Sequence, residues 1–366
     1  MRPSRLLHFN TERGWRGGEV QTLLLSRGLM KRGHQCLVVA PPASSLATKA
    51  REAGVPVEPV ASRGEFDLAA AGGLARLSRR FRPALIHSHT SHAITLGTLS
   101  SVASARIPAV ASRRVSFSLS RNPLATWKYT HRVDRIIAVS EGIRNLLSSA
   151  GIPRDRIAVI HSAIDLDRFQ HLRDRQEARR SLGYAPQDFV VGCVGHLAEH
   201  KGHSVLVEAA GPLSVQHGSL KYLLVGRGER EQMLRRQIQA LGLESVFQLM
   251  GFSEDVAGIL PALDLFVFPS LSGEGSPAVL KEAMACGLPV VASEISGVEE
   301  VIHHGREGLL VPPGDASALS AAILRFASDR SLGIQCGRLG REAVRRFGVD
   351  QLIDRTESLY GGLLED

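Results

Sequence analysis

The chain is expected to form two doubly wound α/β domains, each a parallel sheet with helices on both faces. Three observations carry this expectation. Short apolar runs alternate with helical stretches, the pattern of consecutive βαβ units. The alternation restarts near residue 190, and 366 residues are too many for one ordinary core but suit two. In the first series, residues 6–9, 36–40, 85–87, 109–112 and 136–139 are expected strands. Residues 18–32 read as an amphipathic helix closed by Gly33. In the second series the expected strands are 190–194, 222–225, 247–250, 265–268 and 290–292. The two join near residues 162–169, which places the domains at 1–165 and 166–348, followed by a helical segment at 349–366. Doubly wound sheets bind ligands at the carboxyl ends of their strands, so a cleft between two facing sheets is the expected site.

Composition narrows the class. Apolar residues at 44% and charged residues at 22% are those of a soluble globular protein, and no apolar run approaches a bilayer's thickness. The opening MRPSRLLHFN runs straight into polar sequence and reads as a first strand, not a signal peptide. Cys36, Cys193, Cys286 and Cys336 stand far apart without CxxC spacing, so buried thiols in a reducing, cytoplasmic compartment are expected over disulfides or zinc. The net charge of +8 is unevenly spread: residues 1–165 hold 24 Lys/Arg against 10 Asp/Glu, and the remainder holds 20 against 26. A basic half attracts anionic partners, whether nucleic acid, an anionic membrane face or a phosphorylated acceptor. With 5% aromatics and no helix-turn-helix, zinc-finger or RNA-recognition signature, no nucleic-acid partner is expected.

The densest motif is GEGSPAVLKEAMACGLPVVAS, residues 273–293. Ser276 is suited to cap a helix and Pro277 to open it, strong helix formers follow, and Gly287 and Pro289 end the run. Glu274 then lies on the loop leading to the helix and Glu282 inside it. The free N–H groups around Gly275, Ser276, Pro277 and Ala278 form a local positive pole. Two carboxylates around a helix N-terminus suit a ligand with hydroxyls and a charged phosphate, which describes a sugar nucleotide. The spacing resembles the paired-glutamate motif of retaining GT-B glycosyltransferases, specifically glycosyltransferase family 4 (group 1). That resemblance implies that Glu274 holds the donor sugar and Glu282 the ribose hydroxyls.

Other segments fit the same resemblance, which covers nearly the whole chain and is densest from 190 to 313. VGHLAEHKG (194–202) follows an expected strand and places Lys201 at a helix start, a natural phosphate ligand. The family carries an Arg where this chain has His196, so either the phosphate clamp is weaker or Arg227 compensates. RGWRGGEV (13–20) resembles the family's N-terminal Gly-Gly loop, with Gly17 and Gly18 letting a backbone approach a phosphate. His87-Ser88-His89 and Arg113-Arg114 end two strands. Many family members carry a histidine where Arg114 falls; the arginine suits an anionic group, or the pair is a solvated basic loop. His87 and His89 meet the minimum for a metal pair, but no third ligand stands at useful spacing, and no metal is expected. Asp165-Leu166-Asp167 reads as an interdomain hinge, not a metal motif. Gly226-Arg227-Gly228 lacks the rest of a dinucleotide fingerprint. Residues 252–256 fall where the family lies near the nucleotide base.

The resemblance implies a metal-independent, cofactor-free retaining transfer from a UDP- or GDP-sugar to an acceptor hydroxyl. The implied catalytic set is Glu274 and Lys201 with His89 and Arg114. Gly17, Gly18, His196, Lys201, Arg227, Glu274, Gly275, Ser276, Pro277, Ala278 and Glu282 would hold the donor. The first domain would take the acceptor, the second the donor, and the last helix would cross back to the first. A glycan or lipid-linked, phosphorylated acceptor in cell-envelope or lipopolysaccharide synthesis is the expected partner, at the inner face of the cytoplasmic membrane. A sugar-nucleotide epimerase of the same fold and a nucleotide-sugar-binding protein without turnover are the alternatives.

Overall fold

The computed structural model describes residues 1–101, 106–115 and 123–365. The chain divides into two compact units, Met1–Ala163 with Phe347–Asp366, and Ile164–Arg346. The first unit runs β1 (Arg5–Phe9), α1 (Gly17–Lys31), β2 (Gln35–Ala40), α2 (Ser45–Glu52), β3 (Val57–Pro59), α3 (Leu68–Phe81) and β4 (Leu85–Ser88). It continues with α4 (Ser91–Ser101), β5 (Ala109–Arg113), α5 (Pro123–His131), β6 (Arg135–Ala138), α6 (Glu141–Ser149) and β7 (Ile157–Val159). All its strands are parallel, in the order β3-β2-β1-β4-β5-β6-β7. From β1 the chain winds outward to β3, then returns to build β4 onward on β1's other side. The gap between β1 and β4 is therefore the switch point, where the connecting loops diverge and leave a crevice.

The second unit begins with α7 (Arg175–Leu182), β8 (Phe189–Val194), α8 (His203–Gln216), β9 (Leu220–Val225), α9 (Glu231–Ala240) and β10 (Phe247–Gly251). There follow α10 (Val256–Ile259), β11 (Leu265–Phe268), α11 (Ala278–Ala285), β12 (Val290–Ser293), β13 (Gly308–Val311), α12 (Ala316–Ser328) and α13 (Arg330–Ala343). Its parallel sheet has the order β10-β9-β8-β11-β12-β13, so its switch point lies between β8 and β11. The last helix, α14 (Val349–Leu364), belongs to the first unit, where Leu352, Ile353 and Tyr360 share a core with Leu6, Leu25 and Leu29.

Both sheets bury strands on both faces, which explains their near-continuous apolar character. Three strands escape the sequence reading: β3, β7 and β13. All are edge strands of three or four residues, and β3 and β7 are only partly buried. Pro59, in β3, is tolerated because an edge strand leaves one side of its backbone unpaired. The four cysteines are unpaired. Among the described residues, no helix is long and apolar enough to cross a membrane.

Candidate functional sites

In the second unit the loops after the two strands flanking the switch point carry two of the expected site residues. The loop after β8 carries Lys201 and the loop after β11 carries Glu274. The loops meet at Gly202, whose φ of +67° only glycine adopts easily. A Cβ there would lie 1.9 Å from the Pro269 carbonyl oxygen. The backbone N–H of Leu271 donates to the His200 carbonyl at 2.7 Å, stitching the same loops. This close approach brings Lys201 Nζ within 2.5 Å of Glu274 Oε1. The Ser270 hydroxyl donates to the same oxygen at 2.8 Å. Glu274 is only 8% exposed, so its charge is held by two donors and little water.

The entrance to α11 differs from the sequence reading. Ser276 is expected to cap the helix with Pro277 as its first residue. Instead Pro277 stands at the cap position in extended geometry, and no side chain caps the helix. Ser276 Oγ accepts from Lys281 Nζ at 2.5 Å. The reason is energetic: Lys281 is fully buried, and a buried ammonium without an acceptor costs far more than a missing cap. Burial brings Lys281's pKa down to about 7, with the Glu300 charge opposing and Arg346 assisting. The loop's other side is closed by Gly297, where a Cβ would come within 2.3 Å of the Gly275 carbonyl oxygen. Glu282 lies further along α11, on the half-buried face. Burial raises its pKa and the Arg168 charge opposes this. His196 faces Glu229 at 3.2 Å, both well exposed, and Arg227 is exposed on the loop after β9.

In the first unit, Gly17 and Gly18 are the first two residues of α1, after Arg16 at the cap position. Nothing lies within 4 Å of where either Cβ would be, so packing does not demand glycine there. Glu19 braces this helix start. It accepts from the Arg16 N–H at 3.0 Å and from the Asn10 amide at 3.2 Å.

At the β1–β4 switch point, strand pairing places His8 in register beside His87. With His89 these form a buried cluster, the rings of His87 and His89 having centroids 4.0 Å apart. His8 Nδ1 lies 3.1 Å from His89 Nε2, His87 Nδ1 2.6 Å from the Tyr360 hydroxyl, and His87 Nε2 2.8 Å from Ser112 Oγ. Arg114 donates to the His89 carbonyl at 3.2 Å and lies 3.1 Å from His89 Nδ1. Burial drives all three histidines far below their usual pKa, His8 to about 3, with the Arg114 charge adding to it. Burial likewise lowers Arg114 to about 10, which leaves it charged at neutral pH.

Two readings change here. His8 is a third histidine where the sequence suggested none, and the three offer nitrogens within 4.8 Å of one another. Yet both nitrogens of His87 and of His89 are engaged in hydrogen bonds. A metal would have to displace some of these beside a guanidinium, so the geometry is that of a hydrogen-bonded network. Arg113-Arg114 is neither a solvated loop nor an open anion site. Arg113 is buried, and the Arg114 fork is turned onto His89.

Ser270, Lys281, His8 and Tyr360 are the site residues that sequence reasoning missed. Only Lys281 carried a signal, a lysine set beside Glu282 among the apolar residues of α11.

With this geometry in hand, two family models match the chain. Glycosyl transferases group 1 covers residues 174–344 and Glycosyltransferase Family 4 covers residues 15–168. The chain belongs to the group 1, family 4 glycosyltransferases. It is 36% identical over 200 residues to the amylovoran biosynthesis glycosyltransferase AmsK of Erwinia amylovora, covering 52% of this chain and 47% of that one. It is 28% identical over 359 residues to the phosphatidyl-myo-inositol mannosyltransferase of Mycobacterium leprae, covering 94% and 92%. The chain spans about half the length of the first curated relatives it matches, 48% and 47%. Among solved structures, HepE of Anabaena in complex with UDP and glucose superposes with a TM-score of 0.87 at 25% identity, over 97% of this chain and 99% of that one. The chain accordingly has the GT-B type of fold, two Rossmann-like parallel-sheet domains.

Proposed function

We propose that this glycosyltransferase moves a sugar from a nucleoside-diphosphate sugar, UDP- or GDP-linked, to an acceptor hydroxyl, with retention and without a metal. The observation that carries the reading is the Lys201–Glu274–Ser270 cluster at the switch point of the second unit, beside the uncapped start of α11. Lys201 and the α11 N–H groups are suited to the charge that gathers on a departing diphosphate. Glu274, held by Lys201 and Ser270, is suited to orient sugar hydroxyls, and Glu282 to accept from the ribose. In the transfer, the bond from the anomeric carbon to the diphosphate oxygen breaks and one to the acceptor oxygen forms on the same face. The acceptor proton passes to the leaving phosphate oxygen. The open glycine start of α1 is suited to a phosphate of donor or acceptor. The complex of HepE with UDP and glucose supports the donor class.

The acceptor is read as a glycan or lipid-linked, phosphorylated carrier in cell-envelope polysaccharide synthesis, in line with the relatives named above. In the first unit, the Lys128–Glu65 ion pair ties α5 to the segment before α3, and Trp127, Phe66 and Leu68, beside these two residues in sequence or close to them, are exposed (41%, 61% and 73%). Apolar side chains on a strongly basic half suit peripheral contact with an anionic membrane at its cytoplasmic face. Sedimentation with anionic and neutral vesicles tests this part, and equal binding to both removes it.

A thermal-shift panel of UDP, GDP, ADP, CMP and their sugars, on wild type and Glu282→Ala, tests the donor reading. One diphosphate should stabilise the wild type and not the variant. No shift with any nucleotide overturns it.

A further inference from the structure

We propose that Arg114 is a positioning residue that locks His89, and through it His8, into one neutral tautomer and so holds the tip of β4 against acid. The lock itself stands on geometry; its bearing on turnover rests on the transferase reading above.

A guanidinium only donates hydrogen bonds. At 3.1 Å it therefore fixes His89 Nδ1 as an acceptor. The neutral ring must then carry its proton on Nε2, which lies 3.1 Å from His8 Nδ1. His8 Nδ1 accepts in turn, leaving the His8 proton on Nε2. One charged donor thus sets two tautomers in series. The same fork reaches the His89 carbonyl at 3.2 Å, so ring and backbone at the end of β4 are held together.

Protonating His89 would set an N–H against the guanidinium N–H and break the lock. Nothing around the ring compensates. Burial is the largest cause that keeps the ring neutral, and His87 before it in sequence, Arg114 after β5 and His8 on β1 add to it. The acidic charge nearby, Glu19 on α1, acts on Arg114, as does Tyr360 on α14. A lysine at 114 has one ammonium in place of a fork and would not serve both His89 atoms equally well.

Histidine nitrogen NMR on wild type, Arg114→Lys and Arg114→Met tests the lock without any activity assay. Wild-type His89 should show the Nε2–H tautomer and no titration between about pH 5.5 and 8, the range in which a free histidine changes charge. In Arg114→Met its midpoint should rise by about one unit or more, with the lysine variant between. In the transferase assay, kcat of Arg114→Met should fall more steeply than that of the wild type as pH drops towards about 5.5, with donor KM little changed. A merely structural loss would lower kcat equally at every pH. An Nδ1–H tautomer in the wild type, or an identical titration in wild type and Arg114→Met, overturns the lock. The NMR result without transfer by any of the three proteins would leave the lock standing and remove the transferase reading.

Discussion

Lys201 Nζ and Glu274 Oε1 lie 2.5 Å apart although 73 residues separate them in sequence. The pair exists because β8 and β11 are adjacent parallel strands, so the loops at their carboxyl ends start side by side before the chain turns to opposite sides of the sheet. Its Glu274 end is nearly dry and its Lys201 end about a quarter exposed, so the ammonium keeps a face open toward a ligand. Each group sets the other's orientation.

Replacing Glu274 by Gln keeps the shape and removes the charge. Transfer is expected to fall about 10²–10³-fold, the size typical of losing one organising group at a charge-developing centre. Stability should change by less than about 1 kcal/mol, because the pair is partly exposed and Ser270 still has an acceptor. Parallel measurement of kcat and the melting midpoint checks this. A large drop in melting with unchanged turnover would make the pair a structural tie.

Gly202→Ala tests the meeting of the two loops. Its Cβ would clash with the Pro269 carbonyl, and its φ disfavours any L side chain. The β8 and β11 loops must part, which separates Lys201 from Glu274. Nucleotide affinity should fall about tenfold or more and stability by about 2 kcal/mol. Calorimetry and urea denaturation read the two effects. Unchanged nucleotide affinity in a folded variant would show that the loop junction does not shape the site.

Much of the fold was legible in the sequence because buried parallel strands are apolar on both faces and leave plain runs. The edge strands β3, β7 and β13 were not: β3 and β7 are each three partly covered residues that leave no pattern, whereas β13 is a four-residue run about as buried as the strands that were read. At the site, Glu274 and Lys201 could be named because they sit beside helix starts with recognisable punctuation, and Glu282 because it follows in the same motif. His8 could not, for its partners His87 and His89 lie some eighty residues away and only strand register brings them together. Tyr360 is still more remote, contributed by a helix at the chain's end. Ser276 was misassigned as a cap because local propensity favours it there, whereas burial of Lys281 demands the same hydroxyl.

Glu282 should make nucleotide binding sensitive to acid. A carboxylate accepts ribose hydroxyls best when ionised, and burial raises this one's pKa. Affinity should therefore begin to fall at a higher pH than for an exposed glutamate. Glu282→Gln should bind more weakly at neutral pH but lose this dependence. Calorimetric titration of the preferred diphosphate on both proteins decides it, and parallel pH profiles would refute the ribose role.

Lys281 should leave its mark on stability instead. Its native pKa of about 7 lies below its ordinary value of 10.5. Between those values the unfolded chain binds more protons than the native one, so stability rises with pH there, by up to about 1.4 kcal/mol per unit. Below about pH 7 both states hold the proton and the whole cost of burying the charge is present. Lys281→Met removes the titration, at the cost of leaving Ser276 without its donor. Relative to the variant, the wild type should therefore gain stability as pH is raised from about 7 to 9.5, by on the order of 2–3 kcal/mol. Urea denaturation of both proteins at the two pH values measures the gap. A gap that stays constant would mean that Lys281 is charged across the whole range, its ammonium fully supported by Ser276 and the Glu300 charge.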